Sequence, residues 1–116
     1  MSLLAALLLA SSPAHAQAFP VRVRQCQWVY GRYAIANGSM IHRVIGTNHV
    51  LNLDVEDEAT PAPLKRIFST GGYEPWKDRL FGDFYVCARE RHIPGRMQRV
   101  HLLRTRNLRI VKSTRP

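Results

Sequence analysis

The chain has 116 residues (13.3 kDa) and sets 17 Lys and Arg against 8 Asp and Glu, a formal charge of +9 with a sequence pI near 10.6. No stretch reaches the roughly eighteen consecutive apolar residues of a membrane-spanning helix, and a chain of this size has room for one domain with one core. Fourteen of the seventeen cations are arginine, whose planar fork holds phosphate or carboxylate bidentately where lysine offers a point charge.

Residues 3–10, Leu-Leu-Ala-Ala-Leu-Leu-Leu-Ala, form an apolar run followed by Ala14-His15-Ala16, which fits the A-x-A cleavage rule of a secretory signal. Residues 1–16 are therefore expected to leave as a signal peptide, with one domain over 17–112, a frayed tail at 113–116, and a periplasmic or secreted location. From Val21 the order Val-Arg-Val-Arg alternates, after which Cys26, Trp28 and Tyr30 carry the apolar series on the opposite parity. A β-bulge near Gln25 would absorb the slip and turn those three side chains inward. Tyr33 and Ile35 continue inward to Asn37-Gly38, a strong hairpin signal leading into a strand over 40–45. Gly46-Thr47-Asn48 makes the next turn, and residues 49–55 alternate with Leu51, Leu53 and Val55 on one face.

The acids at 54–58 and Thr60-Pro61-Ala62-Pro63 break the strand pattern, and Leu64, Ile67 and Phe68 at i, i+3 and i+4 predict a short helix ending at Gly71-Gly72. Tyr73, Trp76 and Phe81 lie in or beside a loop with Lys77 and Arg79; Pro75-Trp76 reads as a plug closing the end of the fold. Residues 81–88 are apolar on both parities, as in a central strand covered on both sides, which would deliver Cys87 to the core. Ile93-Pro94-Gly95-Arg96 reads as a turn. Val100 and Leu102 face in while Arg99 and His101 face out, and Thr105-Arg106-Asn107 bends the chain into a last strand over 108–111. The predicted fold is all-β, a small OB-like barrel of five to six strands with one short helix between strands three and four; a β-sandwich is the alternative.

Two cysteines in a small chain with an export signal predict one disulfide, Cys26 to Cys87, because strands one and four are neighbours in such a barrel. Closing so long a loop is worth about 4 kcal/mol in the chain-entropy account. Residues 86–116 hold nine cations (Arg89, Arg91, Arg96, Arg99, Arg104, Arg106, Arg109, Lys112, Arg115) against Glu90. The first seven of these arginines are the expected binding residues. Met40, His42 and Trp28 offer a thioether, an imidazole and an indole without diagnostic metal spacing, so no metal or other cofactor is expected. His42, His49, His92 and His101 are the material for a ribonuclease-like acid–base pair with Lys65 or an arginine, but no catalytic residue is assigned. Asp83, an acid within an apolar strand, is expected to be hydrogen-bonded.

Val29-Tyr30-Gly31-Arg32, Asn37-Gly38-Ser39, Ile45-Gly46-Thr47-Asn48, Phe81-Gly82-Asp83-Phe84-Tyr85-Val86-Cys87 and Pro94-Gly95-Arg96-Met97-Gln98 together resemble a family of small exported proteobacterial proteins of uncharacterised function, over about residues 26–111. The resemblance implies export and a compact domain, and it implies no activity. Members often carry a further cysteine near the position of His101, which this chain lacks. The expected function is a non-enzymatic basic domain, a monomer, that binds a polyanion: lipopolysaccharide, anionic lipid, acidic glycan or nucleic acid. The alternatives are a small phosphodiester hydrolase using surface histidines and a structural envelope-interaction module whose charge is incidental.

Overall fold

The computed structural model describes residues 20–36, 39–54 and 60–113, so the expected signal peptide, the Asn37-Gly38 turn, Val55, the acids at 56–58 and Arg115 lie outside the described residues. The elements are β1 (Cys26–Ala36), β2 (Ser39–Val44), β3 (Val50–Asp54), α1 (Ala62–Thr70), β4 (Arg79–Ala88) and β5 (Gln98–Val111). They form a closed barrel in the order β1-β2-β3-β5-β4. All neighbours are antiparallel except β3 and β5, which run parallel from Leu51↔Gln98 to Asp54↔His101. This is the predicted OB-like barrel, with five strands and its short helix between β3 and β4.

The core is drawn from alternate positions of every strand: Val29 and Tyr33 of β1, Val44 of β2, Leu51 and Leu53 of β3, Leu80, Phe84 and Val86 of β4, Val100 and Leu102 of β5. Helix α1 drops Leu64, fully buried, onto one end of the barrel and stops where Gly71 takes the left-handed conformation at φ 71°. Tyr73 is buried beside it, with its ring centroid 6.3 Å from that of Tyr33. The plug at this end is therefore Leu64 and Tyr73. Trp76, expected there, is 85% exposed, because the turn that carries it is tied down elsewhere. Asp78 accepts hydrogen bonds from the Glu74 N–H (3.0 Å), Lys112 Nζ (2.9 Å) and the Ser113 N–H (3.2 Å), and this pins Pro75-Trp76 outward.

At the other boundary residues 21–25 do not extend β1. Only Val23 bridges to Ala88, and Arg24 adopts φ 65°. The chain thus kinks before the strand, where a bulge was expected, and the expected phase slip is absent: Val21, Val29, Gly31 and Tyr33 keep one parity. Consequently Val29, Gly31 and Tyr33 face inward, while Cys26 and Tyr30 are exposed and Trp28 is half-buried on the outside. Val21 still reaches the core, held by the buried amide of Gln98, which accepts from the Val21 N–H (3.0 Å) and donates to its carbonyl (2.7 Å). Strand β5 runs unbroken through the predicted bend at 105–107; the bend survives as a register shift, with Asn107 at φ 54°.

Gly31 and Gly82 are paired on the inner face of β1 and β4. A Cβ on Gly31 would lie 1.9 Å from the Arg43 carbonyl oxygen and 2.8 Å from His42 Cε1, whereas one on Gly82 would meet the movable Leu108 Cδ2 at 2.6 Å. Gly31→Ala is therefore expected to cost about 3 kcal/mol or more and Gly82→Ala roughly 1 to 2 kcal/mol. Urea denaturation checks the ranking, and Leu108→Val should recover part of the second loss and none of the first.

Candidate ligand-binding face

The outer face of β1, β4 and β5 is a grid. Its cross-strand rows are Cys26–Cys87–His101, Trp28–Tyr85–Arg104, Tyr30–Asp83–Arg106 and Arg32–Phe81–Arg109. Strict alternation along β5 would put Arg109 on the opposite side from Arg104 and Arg106. The register shifts between Tyr85 and Val86 and between Phe81 and Asp83 each insert a residue into β5 and restore the facing. Arg99, Arg104, Arg106 and Arg109 thereby share one side of the barrel.

The arginines do not stand free in water. Arg106 Cζ lies 3.9 Å from the Trp28 ring centroid, Arg104 Cζ lies 4.5 Å from that of Tyr85 and 5.7 Å from that of Trp28, and Arg109 Cζ lies 5.5 Å from that of Phe81. Trp28 and Tyr85 are themselves in contact, with centroids 5.1 Å apart. Each of these guanidiniums lies over an aromatic ring, a cation–π arrangement that restrains it at the surface. This explains the apolar character of β4 on both parities: Leu80, Phe84 and Val86 meet the core, while half-buried Phe81 and Tyr85 are covered by arginine side chains where a second protein layer was expected.

Acids are placed sparingly. Asp54 bonds both Arg89 (2.6 Å) and Arg99 (3.3 Å), and Asp83 accepts from Arg106 Nε (3.3 Å) and Asn107 Nδ2 (2.9 Å), the hydrogen-bonded role expected for it. Arg104 and Arg109 meet no carboxylate among the described residues. Of the seven arginines predicted as binding residues, Arg99, Arg104, Arg106 and Arg109 are brought together along β5, and Arg89 joins them through Asp54. Arg91 and Arg96 sit in the β4–β5 connection and are not part of the face.

The predicted disulfide is present, Cys26 to Cys87, with Cα atoms 4.0 Å apart and a sequence separation of 61. Its setting differs from the expectation: the two cysteines lie directly opposite each other on the outer face, Cys26 exposed and Cys87 half-buried. Tyr73, Trp76 and Phe81, close together in or beside one loop of the sequence, are separated: one is in the core, one in solvent and one beneath Arg109. Met40, His42 and Trp28 also fail to meet, since Met40 and His42 belong to the interior and Trp28 to the outer face. The role of Trp28 escapes sequence reading because Val29, Gly31 and Tyr33, not the more apolar series of Cys26, Trp28 and Tyr30, face the core. The double apolar parity of β4, set against an arginine-rich last strand, is the signal that points to it.

Among the described residues no group of three or more His, Cys, Asp or Glu suits a metal ion. The four histidines do not form one constellation: His42 is fully buried against Phe84 (centroids 4.6 Å apart), His101 lies beside Cys87, and only His49 and His92 meet, with centroids 5.8 Å apart. The fold and this face define a small OB-like barrel with a cationic–aromatic surface. No family model matches the sequence, and no match is found among curated proteins or solved structures.

Burial makes His42 the acid-sensitive point of the barrel. Desolvation lowers its pKa from 6.5 to about 4, against weaker opposing effects of the Gly82 main chain and the Asp83 charge. Between those values the unfolded chain binds a proton that the folded chain refuses, so stability is lost as pH falls from 6.5 to 4, by roughly 3 kcal/mol. Asp78 is held at about 2, below 3.8, chiefly by the Lys112 hydrogen bond and then by the Glu74 N–H, so its contribution is present above 3.8 and fades as pH falls toward 2. Urea midpoints measured against pH should decline in these two stages, with His42→Leu flattening the upper stage and Asp78→Asn the lower.

Proposed function

We propose that the protein is an exported, non-enzymatic polyanion-binding domain whose contact surface is the outer face of β4 and β5. The observation that carries this reading is the row of guanidiniums seated on aromatic rings, with Arg104 and Arg109 meeting no carboxylate among the described residues. From Arg99 to Arg109 the strand spans about 30 Å at roughly 3.3 Å per residue, a length that suits a polymer or an array of head groups better than a small ion. Lipopolysaccharide, anionic lipid, acidic glycan and nucleic acid all present such spaced oxyanions. The disulfide and the signal-like amino terminus support export to the periplasm or beyond, in keeping with the exported family that the sequence resembles. The hydrolase reading is weaker, because its histidines are dispersed, and the one pair that meets is on a different part of the barrel from the arginine face.

Binding to heparin or single-stranded DNA should fall steeply with salt, since each neutralised phosphate or sulfate releases counterions. Arg104→Gln with Arg109→Gln should weaken binding more than Arg89→Gln with Arg99→Gln, whose charge Asp54 already offsets in part. The first pair should also lower stability by about 1 kcal/mol by uncovering aromatic rings. Negligible retention on heparin or DNA at low salt would sink the proposal.

A further inference from the structure

A second cluster lies where the β2–β3 turn meets the β4–β5 connection, brought together by the parallel pairing of β3 with β5. Both segments are held by hydrogen bonds of backbone and side chain. In the first, the Val44 N–H donates to the His49 carbonyl (3.1 Å), and Thr47 Oγ1 accepts from the His49 N–H (3.0 Å) while donating to the Val44 carbonyl (3.1 Å). In the second, the Arg96 N–H closes a turn on the Ile93 carbonyl (3.0 Å) with Gly95 at φ 86°, the turn that Ile93-Pro94-Gly95-Arg96 predicts, and Gln98 Nε2 ties the Glu90 carbonyl (3.2 Å). Between them is an open cleft of about 350 Å³ whose wall includes Asn48, His49, His92, Arg96 and Met97. The His49 and His92 rings stand edge to face, 73° apart. Met97 is 43% exposed and is one of the residues that form the cleft wall.

We propose that this cleft binds one monovalent copper ion through the imidazoles of His49 and His92 and the thioether of Met97. A thioether is a soft donor and imidazole a borderline one, a set that favours Cu(I) over hard cations, and among the described residues the cleft wall has no carboxylate or thiolate. Arg96 on the same wall sharpens the choice, because its charge repels a divalent ion twice as strongly as a monovalent one at equal distance. Cu(I) is satisfied by two or three protein donors, whereas Zn(II) would need a fourth ligand such as water in addition to these three. The site is separate from the arginine face and stands or falls independently of polyanion binding.

The test uses the mature protein with its Cys26–Cys87 disulfide intact, titrated anaerobically with Cu(I) under ascorbate, which spares the disulfide, in competition with bicinchoninate. One equivalent should be retained, with shifts of the His49 and His92 ring protons and the Met97 methyl and none at His42 or His101. His49→Gln and His92→Gln should each lower the affinity by about tenfold or more, and Met97→Leu should weaken Cu(I) binding while leaving that of Cu(II) unchanged. Unchanged melting of the ion-free variants separates loss of ligand from loss of fold. Retention no better than that of the His49→Gln, His92→Gln double variant, or equal binding of Cu(II) and Zn(II) with no effect of Met97→Leu, would overturn the assignment. So would hydrolysis of RNA that disappears in His49→Gln without any copper retention.

Discussion

Strand β1 serves two partners, and the rest of the barrel follows from how it changes between them. It pairs with β4 from Cys26 to Tyr33 and with β2 from Gly31 to Ala36, so residues 31–33 are bonded on both sides. Closure demands a tight bend where the two pairings overlap. At Gly31 the inner face has no room for a side chain: a Cβ there would run into the Arg43 carbonyl and the His42 ring. Removing side chains from Gly31 and its partner Gly82 lets the sheet coil, and the interior is then filled from the β2 side by an aromatic-like ring packed on Phe84. A buried imidazole whose ring nitrogens find no well-formed hydrogen bond among the described residues, with the Gly82 main chain nearby, is an expensive filler. Its acid sensitivity is the consequence of that packing.

Once β1 is set by Gly31, its outer face is set too. Trp28 and Tyr30 are driven outward, and large aromatic surface lies where a barrel has no second layer to cover it. Arginine supplies the cover: its stem and planar head lie over a ring while its N–H groups remain wet. The cationic face is in this sense a structural answer before it is a binding surface. The two inserted residues in β5 are what allow one strand to deliver Arg104, Arg106 and Arg109 to rings on the same side.

Much of this architecture was legible locally. The alternation of Leu51 and Leu53, the i, i+3, i+4 triplet at Leu64, the stop at Gly71 and the Pro94-Gly95 turn are short-range signals, and the strand order follows from their succession. The parity of β1 was not. Cys26, Trp28 and Tyr30 form the more apolar series, and a hydrophobicity argument alone turns them inward. The deciding facts are non-local, namely the pairing of Gly31 with Gly82 and the register that puts Phe84 and Val86 in the core. Four of the arginines converge because of bulges in β5 that appear in the sequence only as an irregular spacing of 104, 106 and 109. The His49, His92 and Met97 cluster was equally hidden, since it depends on a parallel pairing between strands far apart in sequence.

A row of like charges along one strand opposes the compact state, and an excess of nine cations leaves few carboxylates to offset it. Exposed pairs such as Arg99 with Asp54 contribute little and are screened by salt. The disulfide acts where charge cannot. It joins β1 to β4 in the grid row next to Trp28–Tyr85–Arg104, and its loop of 61 residues constrains the unfolded chain by about 4 kcal/mol whatever the ionic strength. In the same row His101 stands directly opposite Cys87, so a cysteine at that position in a resembling chain would be a geometric neighbour of Cys87 from the other side. The row is thus a place where β4 can be tied to either flank, and here the tie is made to β1, the strand whose aromatic side chains the arginines cover. Stability that does not depend on neutralising the face lets Arg104 and Arg109 go without a carboxylate among the described residues, which is the condition for an anionic ligand to find them.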